Sequence, residues 1–251
     1  MWRMRASRLT GWALATAVVL AVPAAAPAAE PLRPYDELGP LGNERLSNER
    51  TLSRWAHPAH AAHVLARPAR GARTVARLRY RTEDGRPEVY LLLRSRIVRR
   101  QGTWIQLRIP GRPNGRTGWV PRWALASLHR VRGYLLLDKS RRRAYLFRNG
   151  RSIWTSPIGH GAPGTPTPSG NFWIRERLKG LGGIYGPWAF GTAGYSVLSD
   201  WPRGGVVGIH GTNQPELIPG RPSHGCVRVP NSRVRVLARL LAIGTPLRIR
   251  P

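Results

Sequence analysis

Short apolar segments separated by Gly and Pro place the tightest limit on what this 251-residue chain can fold into. Between residues 63 and 128, runs such as TVARLRY, PEVYLLLR and TWIQLRI combine β-branched and aromatic residues, which is typical of short strands. Asn114-Gly115 adds a strong hairpin signal, because both residues tolerate a positive φ. Several short strands at close spacing predict a small β-barrel domain over residues 63–128.

A second strand-rich unit follows over residues 131–250. Its strand-like segments are YLLLD (134–138), RAYLF (143–147), SIWTSPIG (152–159), VVGIH (206–210) and CVRV (226–229). One helix is predicted between Asn231, a candidate N-cap, and Gly244, and its apolar residues recur at one-face spacing: Val234, Leu237, Ala238 and Leu241. The fold class predicted for the chain is therefore mainly β, a β-sandwich with one short helix preceded by a small β-barrel.

The first 28 residues have the pattern of a secretory signal peptide. Three arginines precede the apolar run LTGWALATAVVLAV (9–22), and Ala26-Pro27-Ala28 suits cleavage. A membrane-spanning helix needs about 20 apolar residues, and this run is shorter. We expect an extracytoplasmic protein, in the cell wall or periplasm, with contact to the membrane only if the leader is retained as an anchor.

The polar segment 29–62 has few aliphatic residues and is predicted to be a flexible linker. Three histidines, His57, His60 and His63, recur at intervals of three around its end. Such spacing is conceivable for metal binding, but a solvated face is the commoner explanation on a polar segment.

The formal net charge of +29 comes almost entirely from arginine, because Lys139 and Lys179 are the only lysines. A strongly basic chain favours polyanionic partners. The arginines are scattered rather than gathered in one stripe, and the chain has no nucleic-acid-binding motif. We therefore expect anionic cell-wall polymers and not nucleic acid as partners, although a compositional bias towards arginine explains the charge equally well. We expect a monomer.

The single cysteine, Cys226, cannot form a disulfide within the chain, so its thiol is either buried and inert or reactive. Its neighbours Ser223, His224 and Gly225 make a polar setting, which favours reactivity. A thiol needs a nearby base to work as a nucleophile at neutral pH, and histidine is the usual partner. Two candidates exist: His224, two residues away, and His210, 16 residues earlier at the end of a predicted strand.

Glycines beside both histidines, Gly211 and Gly225, leave room for a substrate backbone, and the amides of Gly225 and Cys226 are candidate oxyanion donors. A zinc site formed by His210, His224 and Cys226 is the competing interpretation. No acidic residue adjoins them to serve as base, although Glu216 and Asp200 lie in the surrounding sequence.

The segment IHGTNQPELIPGRPSHGCVRVPN (209–231) resembles the signature of the L,D-transpeptidase (YkuD-type) catalytic domain, and GTPTPSGNFWI (164–174) and AIGTPLRI (242–249) extend the resemblance over about 131–250. The resemblance implies that Cys226 is the nucleophile and His210 the general base. It further implies roles for six neighbours: Ser223, His224 and Gly225 in the catalytic turn and oxyanion hole, Arg228 in holding a substrate carboxylate, and Gly211 and Thr212 in binding substrate.

The resemblance also implies the reaction. The thiolate attacks the amide between the L-centre of a diamino acid and the terminal D-alanine of a tetrapeptide stem in peptidoglycan. D-Alanine leaves, and an amine of a neighbouring stem resolves the thioester into a 3→3 cross-link, with no metal or organic cofactor. Water in place of the amine gives an L,D-carboxypeptidase.

Two alternatives to a transpeptidase are a Cys-His peptidoglycan hydrolase and a non-catalytic wall-binding protein. The order of His210 before Cys226 is unlike that of papain-like enzymes. The segment 102–125, GTWIQLRIPGRPNGRTGWVPRWAL, resembles the Src-homology-type wall-binding domains found ahead of bacterial wall enzymes, with a β-rich spacer as the alternative.

Overall fold

The computed structural model of the protein describes residues 41–200 and 202–251, and the fold is built on two β-sheets. The predicted signal peptide, 1–28, and the first part of the predicted linker, 29–40, lie outside the described residues. All described residues fall within one compact unit. None of the helices in this part of the chain is long and apolar enough to cross a membrane.

The first sheet has seven strands: β1 (Ser53–Ala56), β2 (His63–Leu65), β3 (Thr74–Arg77), β4 (Tyr90–Val98), β5 (Gly102–Arg108), β6 (Thr117–Pro121) and β7 (His129–Val131). Their spatial order is β3-β2-β6-β5-β4-β1-β7, and every neighbouring pair is antiparallel. Side chains from these strands pack around a core that includes Val64, Leu92 and Ile105.

The interpretation of residues 41–62 as a flexible linker is wrong. Strand β1 lies in this segment and pairs with both β4 and β7, while Leu46 ahead of it is buried. Asn48 adds a turn by accepting hydrogen bonds from three successive backbone N–H groups through its Oδ1. A strand placed between two others is held by its backbone ladder, so it needs few aliphatic side chains and leaves little trace in composition.

The second sheet has ten strands: β8 (Tyr134–Asp138), β9 (Arg143–Arg148), β10 (Arg151–Pro157), β11 (Gly159–Gly161), β12 (Gly170–Lys179), β13 (Trp188–Tyr195), β14 (Val206–His210), β15 (Gly220–Ser223), β16 (Val227–Arg228) and β17 (Pro246–Arg250). Their order is β10-β9-β8-β17-β12-β13-β14-β16-β11-β15. Both halves of this sheet contribute to one core, because Leu146 of β9 and Ile209 of β14 belong to the same buried cluster.

Helix α1 (Asn231–Leu240) is the only α-helix within the described residues, which confirms the prediction of a mainly β fold with one short helix. Its buried residues Val234, Leu237 and Ala238 face the core as their spacing predicted. Asn231 does not cap the helix as expected, because Pro230 occupies the N-cap position. Its side-chain Oδ1 instead accepts a hydrogen bond of 2.9 Å from the N–H of Thr212, beside the candidate site.

The two sheets share a buried boundary. The indole Nε1 of Trp173 donates to the carbonyl of Val89 at 2.8 Å, and Val89 belongs to the core of the second sheet. Next to it, the guanidinium of Arg175 donates to both carboxylate oxygens of Glu88, and both side chains are fully buried. Buried charges that are paired and hydrogen-bonded on both sides tolerate burial, whereas either one alone would not. The two predicted domains are therefore joined through a common interior.

Candidate active site

The parallel pairing of β14 with β16 brings the predicted nucleophile and base together. Its register aligns Ile209 with Val227 and His210 with Arg228. Successive side chains on a strand alternate between faces. Because Ile209 and Val227 are each 1% exposed in the core, His210 and Arg228 lie on the opposite face. Cys226, one residue before β16, continues that register beside Gly208.

Gly208 leaves open the space that the thiol and the imidazole share. Its N–H donates to the Sγ of Cys226 at 3.3 Å. A β-carbon on Gly208 would lie 3.8 Å from that Sγ and 3.8 Å from the Cδ2 of His210. The side chains of Cys226 and His210 therefore border the same open position, which a side chain at residue 208 would occupy.

His210 is 5% exposed and is held in one orientation. Its Nδ1 lies 2.6 Å from the carbonyl oxygen of Gly211. Since a carbonyl only accepts, Nδ1 carries the proton in this hydrogen bond. Tyr185 packs edge-on against the ring, with centroids 5.1 Å apart. Burial lowers the pKa of His210 to about 4, and the charge of Arg228 acts in the same direction. At neutral pH the imidazole is a neutral base.

The thiol of Cys226 is protonated at rest. Burial raises its pKa, while the hydrogen bond from Gly208 and the charges of Arg228 and Arg203 lower it in part. A thiol in this state is a poor nucleophile until a base removes its proton. The neutral His210 supplies such a base, so the pair has the protonation states that base-activated attack requires.

Residues 223–226 form a turn and not a continuous strand. The Oγ of Ser223 donates to the carbonyl of Cys226 at 2.5 Å and accepts from the N–H of Gly225 at 3.3 Å. Gly225 has a φ of +118°, which only glycine adopts without strain. His224 is an exposed residue of this turn.

Thr167, which was not predicted from the sequence to be part of the site, holds this turn through hydrogen bonds. The Oγ1 of Thr167 donates to the carbonyl of Gly225 at 2.8 Å and accepts from the N–H of Gly161 at 2.9 Å. The amide of Gly225, one of the two predicted oxyanion donors, is engaged with Ser223 in this arrangement. The other threonine of the motif GTPTPSG, Thr165, also reaches the turn, because its Oγ1 donates to the carbonyl of Ser223 at 3.2 Å. Nothing in the spacing of the motif indicates these contacts.

Gly211 and Thr212 are both buried. A β-carbon on Gly211 would lie 2.3 Å from the Oδ1 of Asn231, so only glycine fits there. Thr212 is 1% exposed, and its Oγ1 accepts from the N–H of Gln214 at 3.0 Å. These contacts fix the backbone after His210. A contact of either residue with substrate stays a prediction.

Arg228 has donor capacity left over. Its Nη1 donates to the Oε1 of Gln214 at 2.8 Å, while its buried Nε has no partner among the described residues. Buried donors are normally satisfied, so an open one beside the nucleophile is suited to an incoming acceptor. Gln214 was not singled out from the sequence, because a glutamine in a loop carries no pattern.

A glycine-rich segment over residues 180–187, GLGGIYGP, lies beside His210. It was not predicted from the sequence to be part of the site. Gly180, Gly182, Gly183 and Gly186 all have positive φ, and this backbone places Tyr185 against His210. The four glycines were visible in the sequence, but only the structure shows which side chain they deliver.

The three proposed zinc ligands are not assembled as a metal site. Over residues 41–200 and 202–251, no three side chains of His, Cys, Asp or Glu are grouped closely enough to hold a metal ion. His57, His60 and His63 accordingly do not form such a group either. The Nδ1 of His57 instead lies 2.6 Å from the carbonyl oxygen of Glu88.

Part of the chain is similar in sequence to known proteins. Residues 132–249 match the profile of the YkuD family, described as the L,D-transpeptidase catalytic domain. YkuD of Bacillus subtilis, classed with the L,D-transpeptidases, is 37% identical over 101 residues, which cover 40% of this chain and 56% of that protein. YkuD of Bacillus licheniformis is 36% identical over 106 residues, covering 42% of this chain and 58% of that protein.

Among solved structures, the catalytic domain of the Enterococcus faecium L,D-transpeptidase is 27% identical, with a TM-score of 0.36 over 47% of this chain and 95% of that one. The chain thus spans little more than half the length of the two Bacillus proteins, and the segment before residue 132 is outside the family match. Residues 132–249 of this protein are therefore similar to the YkuD-type L,D-transpeptidase catalytic domain.

Proposed function

We propose that the protein is an exported L,D-transpeptidase that forms 3→3 cross-links in peptidoglycan through a thioester on Cys226. The observation that carries the proposal is the common face of β14 and β16, where Cys226 and His210 border the open position at Gly208 and Arg228 lies beside His210 in the register. A nucleophile, a neutral base and a cation with an open donor are the groups that acyl transfer to an anionic peptide needs.

In the first half-reaction, Nε2 of His210 accepts the proton of the Cys226 thiol as Sγ attacks the carbonyl carbon of the scissile amide. The new S–C bond leaves an oxyanion, for which the amide of Cys226 is the donor that the turn keeps in place. The C–N bond then breaks, and His210 returns the proton to the amine of the departing D-alanine. Arg228 holds a carboxylate of the donor stem, which orients the scissile bond.

In the second half-reaction, an amine of a neighbouring stem attacks the thioester. His210 removes a proton from that amine, a C–N bond forms, the C–S bond breaks, and the proton passes to the Cys226 sulfur. The enzyme regains its starting state, and the product is the cross-linked dimer. If water takes the place of the amine, the same steps release a tripeptide stem, which is L,D-carboxypeptidase activity.

The remaining expectations form part of this proposal. The signal-peptide pattern supports export to the cell wall or periplasm, and the net charge of +29 supports association with anionic wall polymers. Binding of wall by the first sheet, as a Src-homology-like domain, and a monomeric state are proposed on the sequence alone. No nucleic acid and no cofactor enter the proposed reaction.

The test is intact-mass spectrometry of the purified protein after incubation with a carbapenem and, separately, with a disaccharide-tetrapeptide. We expect a covalent adduct on Cys226, loss of D-alanine from the tetrapeptide, and a cross-linked dimer as product. Tripeptide without dimer would identify a carboxypeptidase instead. An unmodified Cys226 in a folded protein would falsify the nucleophile assignment. Cys226→Ala is the matched control, and it separates an enzyme from a wall-binding protein because only binding would survive.

A further inference from the structure

Two short stretches flank the catalytic turn and lead into β14. We name them together the flank, residues 195–198 and 203–205. Its two parts are tied by a hydrogen bond of 2.9 Å from the N–H of Ser196 to the carbonyl of Gly205. On one side, the flank meets the turn, because a β-carbon on Gly225 would lie only 2.9 Å from the Cβ of Ser196. The backbone of the flank therefore limits where the turn that carries Cys226 can lie.

On its other side, the flank is bound by one arginine of the first sheet. Arg112 lies between β5 and β6, and its guanidinium donates to three backbone carbonyls of the flank. Nε and Nη2 reach the oxygen of Ser196 at 3.0 and 2.6 Å, Nη2 reaches that of Leu198 at 3.0 Å, and Nη1 reaches that of Gly204 at 2.9 Å. Because one rigid, planar group binds both parts of the flank, it fixes their separation.

The fit around this guanidinium is close. A β-carbon on Gly205 would lie 2.7 Å from the Nη2 of Arg112 and 1.9 Å from the carbonyl oxygen of Leu198. The guanidinium carbon also lies 5.3 Å from the centre of the Tyr195 ring, in cation–π geometry. Backbone carbonyls of an irregular segment need donors, and here the donors come from another sheet.

A second residue of the same hairpin holds the start of the flank. Asn114 pairs with Tyr195 through both ends of its amide: Nδ2 donates to the carbonyl at 2.8 Å, and Oδ1 accepts from the N–H at 3.0 Å. This two-bond pairing imitates a strand neighbour at the point where β13 ends. A third contact joins the guanidinium of Arg203, in the flank, to the carboxylate of Asp84 in the first sheet's 81–88 loop.

The flank connects directly to the reacting groups. It runs from Gly205 into Val206, whose carbonyl oxygen is 4.0 Å from the Sγ of Cys226, and then to Gly208, whose N–H binds that sulfur. The positive charge of Arg203 also helps to lower the pKa of the thiol. Movement of the flank would thus change the position of the sulfur and the charge that it experiences.

We propose that Arg112 and Asn114 are positioning residues for Cys226, so that the hairpin between β5 and β6 is a working part of the catalytic unit. The inference rests on the proposed role of Cys226 as nucleophile. The first sheet then has a function that neither a spacer nor an independent wall-binding module would have.

The experiment compares Arg112→Ala, Arg112→Lys and Asn114→Ala with the wild-type chain and with Arg108→Ala. The control is matched, because Arg108 is an arginine of the same sheet whose two-bond ion pair at 2.8 Å is with Glu49 and not with the flank. Two quantities are measured at Cys226: the rate of carbapenem acylation by intact mass, and the pH profile of alkylation by iodoacetamide. Thermal melting of every variant records stability.

We expect Arg112→Ala to acylate about 10-fold or more slowly, because small misplacements of a nucleophile have large kinetic costs. Its alkylation profile should move to higher pH as Arg203 leaves the thiol. Arg112→Lys should be intermediate, since one ammonium cannot bind all three carbonyls, and Asn114→Ala should show a smaller shift of the same sign. Arg108→Ala should change only the melting temperature.

Acylation rates and pH profiles of both Arg112 variants and of Asn114→Ala that match those of Arg108→Ala would overturn the proposal. If Arg112→Ala does not fold, Arg112→Lys and Asn114→Ala decide the matter by the same two readouts. A wild-type protein that resists the carbapenem would reject the proposed function alone, because the alkylation profile still reports whether the hairpin positions the thiol.

Discussion

Substitution of Gly208 by alanine should abolish most of the chemistry while leaving the fold intact. A β-carbon at this position meets nothing closer than 3.8 Å, and its nearest atoms are the Sγ of Cys226, the Cδ2 of His210 and the carbonyl oxygen of Phe190. These are ordinary van der Waals distances, so no neighbour has to move. Alanine also restricts the unfolded chain more than glycine does, which is worth about 0.4–1 kcal/mol in favour of folding. We therefore expect the free energy of unfolding to stay within about 1 kcal/mol of wild type.

The methyl group of the alanine would occupy the space that borders both the thiol and the imidazole, and it would contact both groups. Proton transfer and the approach of an acyl carbon to Sγ both need that space, and displacement of a reacting atom by about 1 Å costs on the order of 100-fold in rate. Carbapenem acylation of Cys226, followed by intact mass, should fall by about 10- to 100-fold. Gly164→Ala is the matched control, because no atom lies within 4 Å of its β-carbon. Gly208→Ala acylation at the wild-type rate would refute the assignment of this space to the reaction.

Three further outcomes are expected. Burial lowers the pKa of His210 from its ordinary value of 6.5 to about 4, so the stability of the protein should be complete above pH of about 6.5 and partly lost as the pH falls to about 4. Urea titrations should show a loss of about 3 kcal/mol in the free energy of unfolding that His210→Gln does not show. Trp173→Phe removes the donor to the buried carbonyl of Val89 and should cost about 1–3 kcal/mol by the same titration, with unchanged stability contradicting the shared boundary. Thr167→Val removes the hydrogen bond to Gly225 at nearly constant volume and should slow carbapenem acylation more than Thr167→Ser, which keeps the hydroxyl.

Local sequence patterns predicted correctly those strands and helices that neighbouring residues in the chain determine. Short runs rich in β-branched residues form strands, and Val234 and Leu237, which are at helical spacing, lie on the buried face of α1. The linker prediction failed because β1 is held by backbone pairing with β4 and β7, which composition does not record. Asn231 looked like a cap, yet its side chain serves the loop after His210. Each failure concerns a partner that is distant in sequence.

Charge was the least informative property of the sequence. In a chain with 41 Lys and Arg, Arg112 and Arg175 are indistinguishable from solvated arginines. The structure buries Arg175 against Glu88 and aims Arg112 at backbone carbonyls, so two arginines hold the sheets together at the boundary nearest the site. When one residue type is in excess, the few residues of that type with a structural role cannot be identified from the sequence, because neither their spacing nor their neighbours distinguish them.

The choice between the two histidines near Cys226 depended on a single backbone conformation. Had residues 223–226 continued as a strand, His224 and Cys226 would have shared a face, and the nearer histidine would have been the base. The φ of +118° at Gly225 instead turns the chain, and the hydroxyl of Ser223 closes that turn on the carbonyl of Cys226. The parallel register of β14 and β16 then gives the thiol a neighbour 16 residues away, His210. The conformation of Ser223 and Gly225 thus supports His210, and not His224, as the proposed acceptor of the proton.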